Sequence, residues 1–412
     1  MMQLNYIDLF AGTSALSEGF RRNDMHPVAH IEMDKDACIT IKTRVAFHYL
    51  KSKNKEDVYY DYLSGKISRE QLYKEIPVCL LSSVINIEIS DNTIRDIFRQ
   101  INSCLKTQKK NSVDIIIGGP PCQAYSLIGR HQKDIEKDPR NKLYVQYGRF
   151  LKEFRPKVFV FENVPGLTSA NDGQYYRNLK KYFKQIGYET NDKVLNAKDY
   201  GVLQNRKRVI IIGWRKDLNF SYPEIESVKH NFTTKNIFSD LSSLAPGQSI
   251  QKGKYKKSTN DYLNSFELRD GIDFYTQHVC RSHNANDLRI YKLAIEKWNN
   301  ESLRIKYTDV PEKLRTQQNT EAFLDRFKVV DGKGISHTVV AHIAKDGHYY
   351  IHPDIKQCRS ISVRETARIQ SFPDDFYFEG SRTAAFRQIG NAVPPLMANA
   401  IAKAIKKQLI TE

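Results

Sequence analysis

Short apolar runs alternate with helical patterns through the first half of the chain, and that alternation restricts the fold more than any other feature. The runs cover 4–10, 28–32, 84–88, 113–118, 158–163 and 209–214, with helical stretches such as 34–48, 93–105 and 174–185 between them. Strand–helix repetition of this kind predicts a doubly wound α/β sheet. Ligands of such sheets bind at the carboxyl ends of the strands. Residues 50–78, charged and rich in tyrosine, interrupt the rhythm and read as a helical insertion elaborating the surface. After Trp214 the chain turns polar, with turn-forming pieces such as Ala245-Pro246-Gly247 and Asp331-Gly332-Lys333-Gly334. This pattern predicts a first domain over 1–216, a smaller irregular domain over 217–358, and a closing segment over 359–412 whose last helix returns to the first domain.

Composition narrows the function. The 64 Lys and Arg against 47 Asp and Glu leave a net charge of +17. A lysine-rich solvated surface is one reading and a polyanion partner the other, because neutralising phosphates releases counterions. The six cysteines are scattered without CxxC spacing, so neither a disulfide framework nor a zinc site is expected, and any one thiol is free for chemistry. No apolar run is long enough to span a membrane. The opening MMQLNYIDLF enters a strand directly, without a signal-like region, and a cytoplasmic protein is expected.

Chemistry-bearing residues gather where the apolar runs end. In IDLFAGTSALSEGF (7–20) a strand, a turn at Gly12 and a helix follow one another. This is the first βα junction, yet the GxGxxG fingerprint is missing, which disfavours a pyrophosphate and hence NAD. Glu32, at the end of the next run, suits ribose hydroxyls, and adenosine without pyrophosphate points to S-adenosylmethionine. Any tight α/β turn resembles this one, so the signal is weak alone. In GGPPCQAYS (118–126), Pro120 and Pro121 stiffen the approach to Cys122. A lone loop cysteine is more often inert than catalytic. A partner is offered by VFVFENVPGL (158–167), whose run ends at Glu162 and so falls on the same rim; a surface carboxylate is the plainer reading. Arg206 and Arg208, two apart before VIIIG, can face one side of a strand and hold an anion or a polar base edge. Arg364, Glu365 and Arg368 read as a structural salt-bridge network.

Taken together and in order, these motifs resemble the bacterial-type DNA cytosine-5 methyltransferases over nearly the whole chain. DLFAG (8–12), Glu32, GGPPCQAYS, DPRNKL (138–143), FENV (161–164), QNRKR (204–208), RETARIQSFPD (364–374) and GNAVPP (390–395) carry the resemblance. It implies that Cys122 attacks a flipped-out cytosine, that Glu162 holds the ring nitrogen and exocyclic amine, and that Arg208 and Arg206 hold the base and a neighbouring phosphate. It implies S-adenosylmethionine as cofactor, against Phe10, Ala11, Gly12, Glu32, Met33, Asn86, Ile87, Pro120, Leu143, Asn391 and Val393, with Asp91 competing with Asn86 for the adenine amine. It also implies DNA contacts by Gln123, Ser126 and Arg130 of a loop, and by His337 and Thr338 within a target recognition domain at 217–358. Double-stranded DNA is the expected partner of a monomer, with a restriction endonuclease acting separately on the same site. Ser14 and Ala15 stand where the family usually has a glycine pair. An RNA-directed relative, a catalytically silent DNA-binding relative and, more distantly, a nicotinamide oxidoreductase are the alternatives.

Overall fold

The computed structural model describes residues 3–121, 143–315 and 320–411. Its centre is a seven-stranded sheet made of β1 (Asn5–Leu9), β2 (His26–Glu32), β3 (Val84–Asn86), β4 (Ile115–Gly118), β5 (Val158–Asn163), β6 (Tyr188–Asn196) and β7 (Lys207–Arg215). The strand order is β3-β2-β1-β4-β5-β7-β6. Strands β1 to β5 pair in parallel, whereas β7 runs antiparallel to both β5 and β6. The parallel strands are buried on both faces, which is why they read as continuous apolar runs. Alternate residues serve opposite layers: Ile115, Ile117, Val158, Val160, Ile210 and Ile212 join one core cluster, Ile116, Phe159, Phe161, Val209 and Ile211 the other.

Every expected strand is present, and β6 is an addition. Its segment YETNDKVLN is half exposed at the sheet edge, so it lacks the apolar run that marks the others.

The connecting helices are α1 (Ala15–Arg21), α2 (Lys35–Lys51), α3 (Glu56–Leu63), α4 (Arg69–Lys74), α5 (Ile94–Thr107), α6 (Leu143–Phe154) and α7 (Gln174–Gln185). Helices α3 and α4 belong to the 50–78 insertion, which is helical and largely exposed as expected, but whose inner face is anchored to the rest of the protein. Tyr59, Leu63 and Leu72 are buried in a cluster with Phe47, Leu50, Ile272 and Phe274. Tyr59 Oη donates to the Asp375 carbonyl at 2.8 Å, and Tyr62 Oη to Glu379 Oε1 at 2.6 Å. The tyrosines that looked like surface residues are bolts between distant parts of the chain.

Residues 217–358 do not form a single separate core. Phe220, Ile237, Tyr262, Leu263 and Leu268 join the large cluster on the sheet, beside a hairpin-like pair β8 (Ser249–Lys254) and β9 (Phe274–Val279). A second small core gathers Ile290, Ile295, Tyr307, Phe327 and Ile351 around α8 (Ala285–Glu301).

The closing segment holds α9 (Val363–Ile369), α10 (Arg382–Asn391) and α11 (Pro395–Thr411). The expected salt-bridge network around α9 exists, and Arg364 and Arg368 share Asp374 within it. Glu365 accepts from Arg359 at 2.7 and 2.8 Å. Arg368 is clamped between Asp240 and Asp374, 2.5 Å from each. Arg364 donates to the carbonyls of Thr276, Pro373 and Phe376. Helix α11 returns to pack on α1, as the sequence predicts. The crossing is close because Gly19 has no side chain: a Cβ there would lie 2.3 Å from the Ala398 and Asn399 backbone.

Candidate active site

The first βα turn is built from left-handed residues. Phe10, Gly12 and Ser14 have φ of 52°, 54° and 62°, a region that only glycine enters freely. The turn is pinned to β2: Ala11 N donates to the Ile31 carbonyl at 3.0 Å, and Gly12 N to Glu32 Oε2 at 2.7 Å. Glu32 Oε1 accepts from Met33 N and Asp34 N, both at 2.8 Å. Burial raises the Glu32 pKa against the pull of these N–H groups. Ile87 N donates to the Glu32 carbonyl at 3.0 Å, joining β3 to the same rim.

These residues fit a nucleoside-bearing cofactor. Nothing lies within 4 Å of the position a Gly12 Cβ would take, and Met33 presents a side chain that is 62% exposed. A carboxylate offers about four lone-pair sites, and Glu32 uses three of them on backbone N–H groups. Asn86 donates from Nδ2 to the carbonyls of Glu32 and Met33 at 3.1 and 3.0 Å, which leaves Oδ1 as its acceptor for an amine. The competing Asp91 is engaged by Arg149 at 2.5 Å and by Gln146 at 3.1 Å.

The ends of β4 and β5 bring the other residues together. A Cβ on Gly119 would stand 2.4 Å from Glu162 Oε2, so glycine is what allows this backbone to lie against the acid. Asn163, buried beside it, donates from Nδ2 to the Pro120 carbonyl at 3.3 Å. Arg208 Nε meets Glu162 Oε1 at 2.9 Å, with side chains 11% and 12% exposed. A guanidinium at this depth needs an anion, and Glu162 supplies it. Pro120 and Leu143 line one small pocket with Tyr144, Phe161, Asn163 and Leu167. Cys122, Gln123, Ser126 and Arg130 lie outside the described residues; the chain approaches Cys122 through Pro120 and an exposed Pro121 on the rim that holds Glu162.

Arg206 is a correction. It does not face the same way as Arg208: it is fully buried, donating to the carbonyls of Val339 at 2.5 Å, Gly390 at 3.2 Å and Ala392 at 2.9 Å. The alternation rule fails here because β7 begins only at Lys207. Before it, Gln204–Asn205 pairs with Ser336–His337 in a short parallel bridge, which turns Arg206 into the seam.

His337 is a second correction. Its Nε2 is bonded to the Tyr349 carbonyl and its ring stacks on Tyr350 at 5.2 Å. Burial pushes its pKa down to about 4. The half-buried ring is held by framework groups on these sides. Thr338 donates its hydroxyl proton to the Asn205 carbonyl at 2.6 Å. Asn391 is exposed at the end of α10 and Val393 is buried. Their turn is wedged against 340–341, since a Gly390 Cβ would lie 2.4 Å from Ala341 N.

Among the described residues, one potential metal-ligand atom from each of His283, Asp287 and His348 lies within 4.8 Å of the others. Both imidazoles are already oriented by protein groups. Tyr291 Oη contacts His283 Nδ1 at 3.3 Å and His348 Nδ1 at 2.8 Å, and Ser360 Oγ contacts His283 Nε2 at 2.9 Å.

An open sheet ordered 3-2-1-4-5-7-6, with an antiparallel seventh strand and a tight left-handed turn after the first, defines an S-adenosylmethionine-dependent methyltransferase fold. Residues 83–407 match the family model for C-5 cytosine-specific DNA methylases. The Type II methyltransferase M.Bpa9945I of Bacillus paralicheniformis is 44% identical, across 97% of this chain and 98% of that protein. The Type II methyltransferase M.XorII of Xanthomonas oryzae pv. oryzae is 32% identical, across 98% and 84%. A crystal structure described as a DNA modification methyltransferase encoded within a prophage (E. coli) has a TM-score of 0.66 at 22% identity, covering 99% and 100% of the two chains. The chain belongs to the C-5 cytosine-specific DNA methylase family and is a DNA cytosine-5 methyltransferase.

Proposed function

We propose that this enzyme methylates carbon 5 of a cytosine flipped out of double-stranded DNA, as the modification half of a Type II restriction–modification system. The observation that carries the reading is the Glu162–Arg208 pair lying against Gly119, three residues before Cys122 in the chain. The names of the relatives support the system assignment.

Position 5 of cytosine is a poor nucleophile while the ring stays aromatic, and covalent activation removes that obstacle. In this reading the Cys122 thiolate adds to carbon 6, and the electron density moves to carbon 5. Glu162 binds the ring nitrogen at position 3 and the exocyclic amine, with Arg208 fixing its carboxylate and reaching the base. After methylation, loss of the carbon 5 proton and expulsion of Cys122 restore the ring. S-adenosylmethionine, held by Phe10, Gly12, Glu32, Met33 and Asn86, would supply the electrophilic methyl group. Asn391 and Val393 would close that pocket. Flipping is needed because carbon 5 cannot be reached for this chemistry inside the stack.

Residues 217–358 are proposed to carry target recognition, in a monomer whose endonuclease partner acts separately. DNA containing 5-fluorocytosine in the target should trap a covalent adduct on Cys122, detected as a mass shift on that peptide. Cys122→Ala should lose methyl transfer while keeping DNA binding. An adduct on another residue, or turnover by Cys122→Ala, would refute the mechanism. Equal methylation of RNA would favour the RNA-directed alternative.

A further inference from the structure

Ser14 stands in the left-handed region at φ 62° without being a glycine, and its side chain is not idle. Ser14 Oγ donates to Asp8 Oδ2 at 2.9 Å and contacts His30 Nδ1 at 3.0 Å, and His30 Nδ1 lies 3.3 Å from the same Asp8 oxygen. All three residues are buried: Asp8 and His30 are 1% exposed and Ser14 6%. Asp8 lies on β1 two residues before Phe10, and His30 lies on β2 two residues before Glu32. The triangle therefore ties the far side of the turn to β1 and to β2, the strand that also carries Glu32. The near side is tied by Glu32 itself, through Gly12 N at 2.7 Å. Two side chains of β2 thus grip the turn at residues 12 and 14.

We propose that Ser14, with Asp8 and His30, is a positioning latch that sets the affinity of the Gly12 turn for S-adenosylmethionine. The inference rests on the reading that the cofactor binds at this turn. A serine in this backbone conformation carries a steric cost. The hydrogen bonds to two buried partners offset it, and they define one turn geometry where glycine would permit several. Loosening the turn costs binding, because a mobile turn must be ordered again around the ligand.

The test is titration calorimetry of the full-length enzyme with S-adenosylmethionine, paired with steady-state kinetics and thermal melting. Ser14→Gly keeps the backbone conformation free of strain and removes the latch. It should weaken cofactor binding by about tenfold and raise KM for the cofactor in parallel. It should leave kcat at saturating cofactor, DNA affinity and melting temperature close to wild type. Ser14→Ala, which loses the latch and keeps the strain, should bind more weakly still. Combining Ser14→Gly with His30→Asn should be no worse than the weaker single variant, because both remove the same linkage. Wild-type affinity in Ser14→Gly would overturn the latch while leaving the cofactor site standing. Failure of the wild type itself to bind S-adenosylmethionine would overturn the cofactor assignment and the latch with it.

Discussion

Arg208 reaches Glu162 from the neighbouring antiparallel strand, Nε to Oε1 at 2.9 Å, and so fixes the direction in which the carboxylate faces. Glu162→Gln keeps the shape and removes the charge. Positioned acid–base groups contribute about 10²–10⁴ in rate, so methyl transfer should fall by roughly that factor in folded enzyme, with a lower melting temperature because Arg208 loses its anion. Tritium transfer from labelled cofactor to a DNA substrate measures it.

Arg206 and Arg208 should separate cleanly on substitution. Arg206→Ala abandons the buried carbonyls of Val339, Gly390 and Ala392. At about 1–3 kcal/mol for each buried group left unsatisfied, the loss should exceed about 3 kcal/mol in urea unfolding. Arg208→Ala should cost far less stability and lose activity even in fully folded enzyme.

Gly119→Ala places a methyl 2.4 Å from Glu162 Oε2. The glutamate side chain is flexible and yields, so folding should survive, but its alignment with Arg208 should not. We expect about a tenfold or greater drop in kcat with an unchanged far-ultraviolet circular dichroism spectrum.

Acid should destabilise the protein already below about pH 6.5 through its buried histidines. Burial, opposed by Glu365 and reinforced by Arg359, pushes His278 and His352 down to about 4. An unfolded histidine titrates near 6.5, so between about pH 6.5 and 4 the unfolded chain holds protons that the folded chain refuses. Stability therefore falls as pH falls through that window, by up to about 1.4 kcal/mol per pH unit for each histidine. Urea midpoints measured from pH 7.5 to 4.5 should show the decline, and His278→Gln should make it shallower.

Binding to DNA should weaken steeply with salt, given the net charge of +17. Fluorescence anisotropy from 50 to about 200 mM salt measures the slope; a flat response would remove phosphate contacts from the account of affinity.

The residues legible in the sequence share one property: each stands at the end of a buried apolar run, where strand and turn chemistry are both visible. Gly12, Glu32 and Glu162 are of this kind, whereas the role of Gly119 emerges only from its closeness to Glu162. Arg206 was misplaced because a period of two holds only inside a strand, and its strand starts one residue later. Tyr59 and Leu72 looked solvated because their partners lie some 200 to 300 residues away, at Phe274 and Asp375. His337 followed a local likeness, while its surroundings come from Tyr349 and Tyr350 across a turn. Ser14 was visible as an odd residue in its turn, but Asp8 and His30 gave no sign in the sequence that they meet it.

The crossing of α11 over α1 at Gly19 bears on how the enzyme is made. The helix that follows the cofactor turn rests on a segment synthesised almost 380 residues later. On the ribosome, the turn's supporting helix must wait with its apolar side uncovered until Ala398 emerges. Nascent chains still lacking that segment should fold incompletely and depend on chaperones. Methylating activity should therefore appear only after synthesis has passed α11, as a late event and not as a gradual gain.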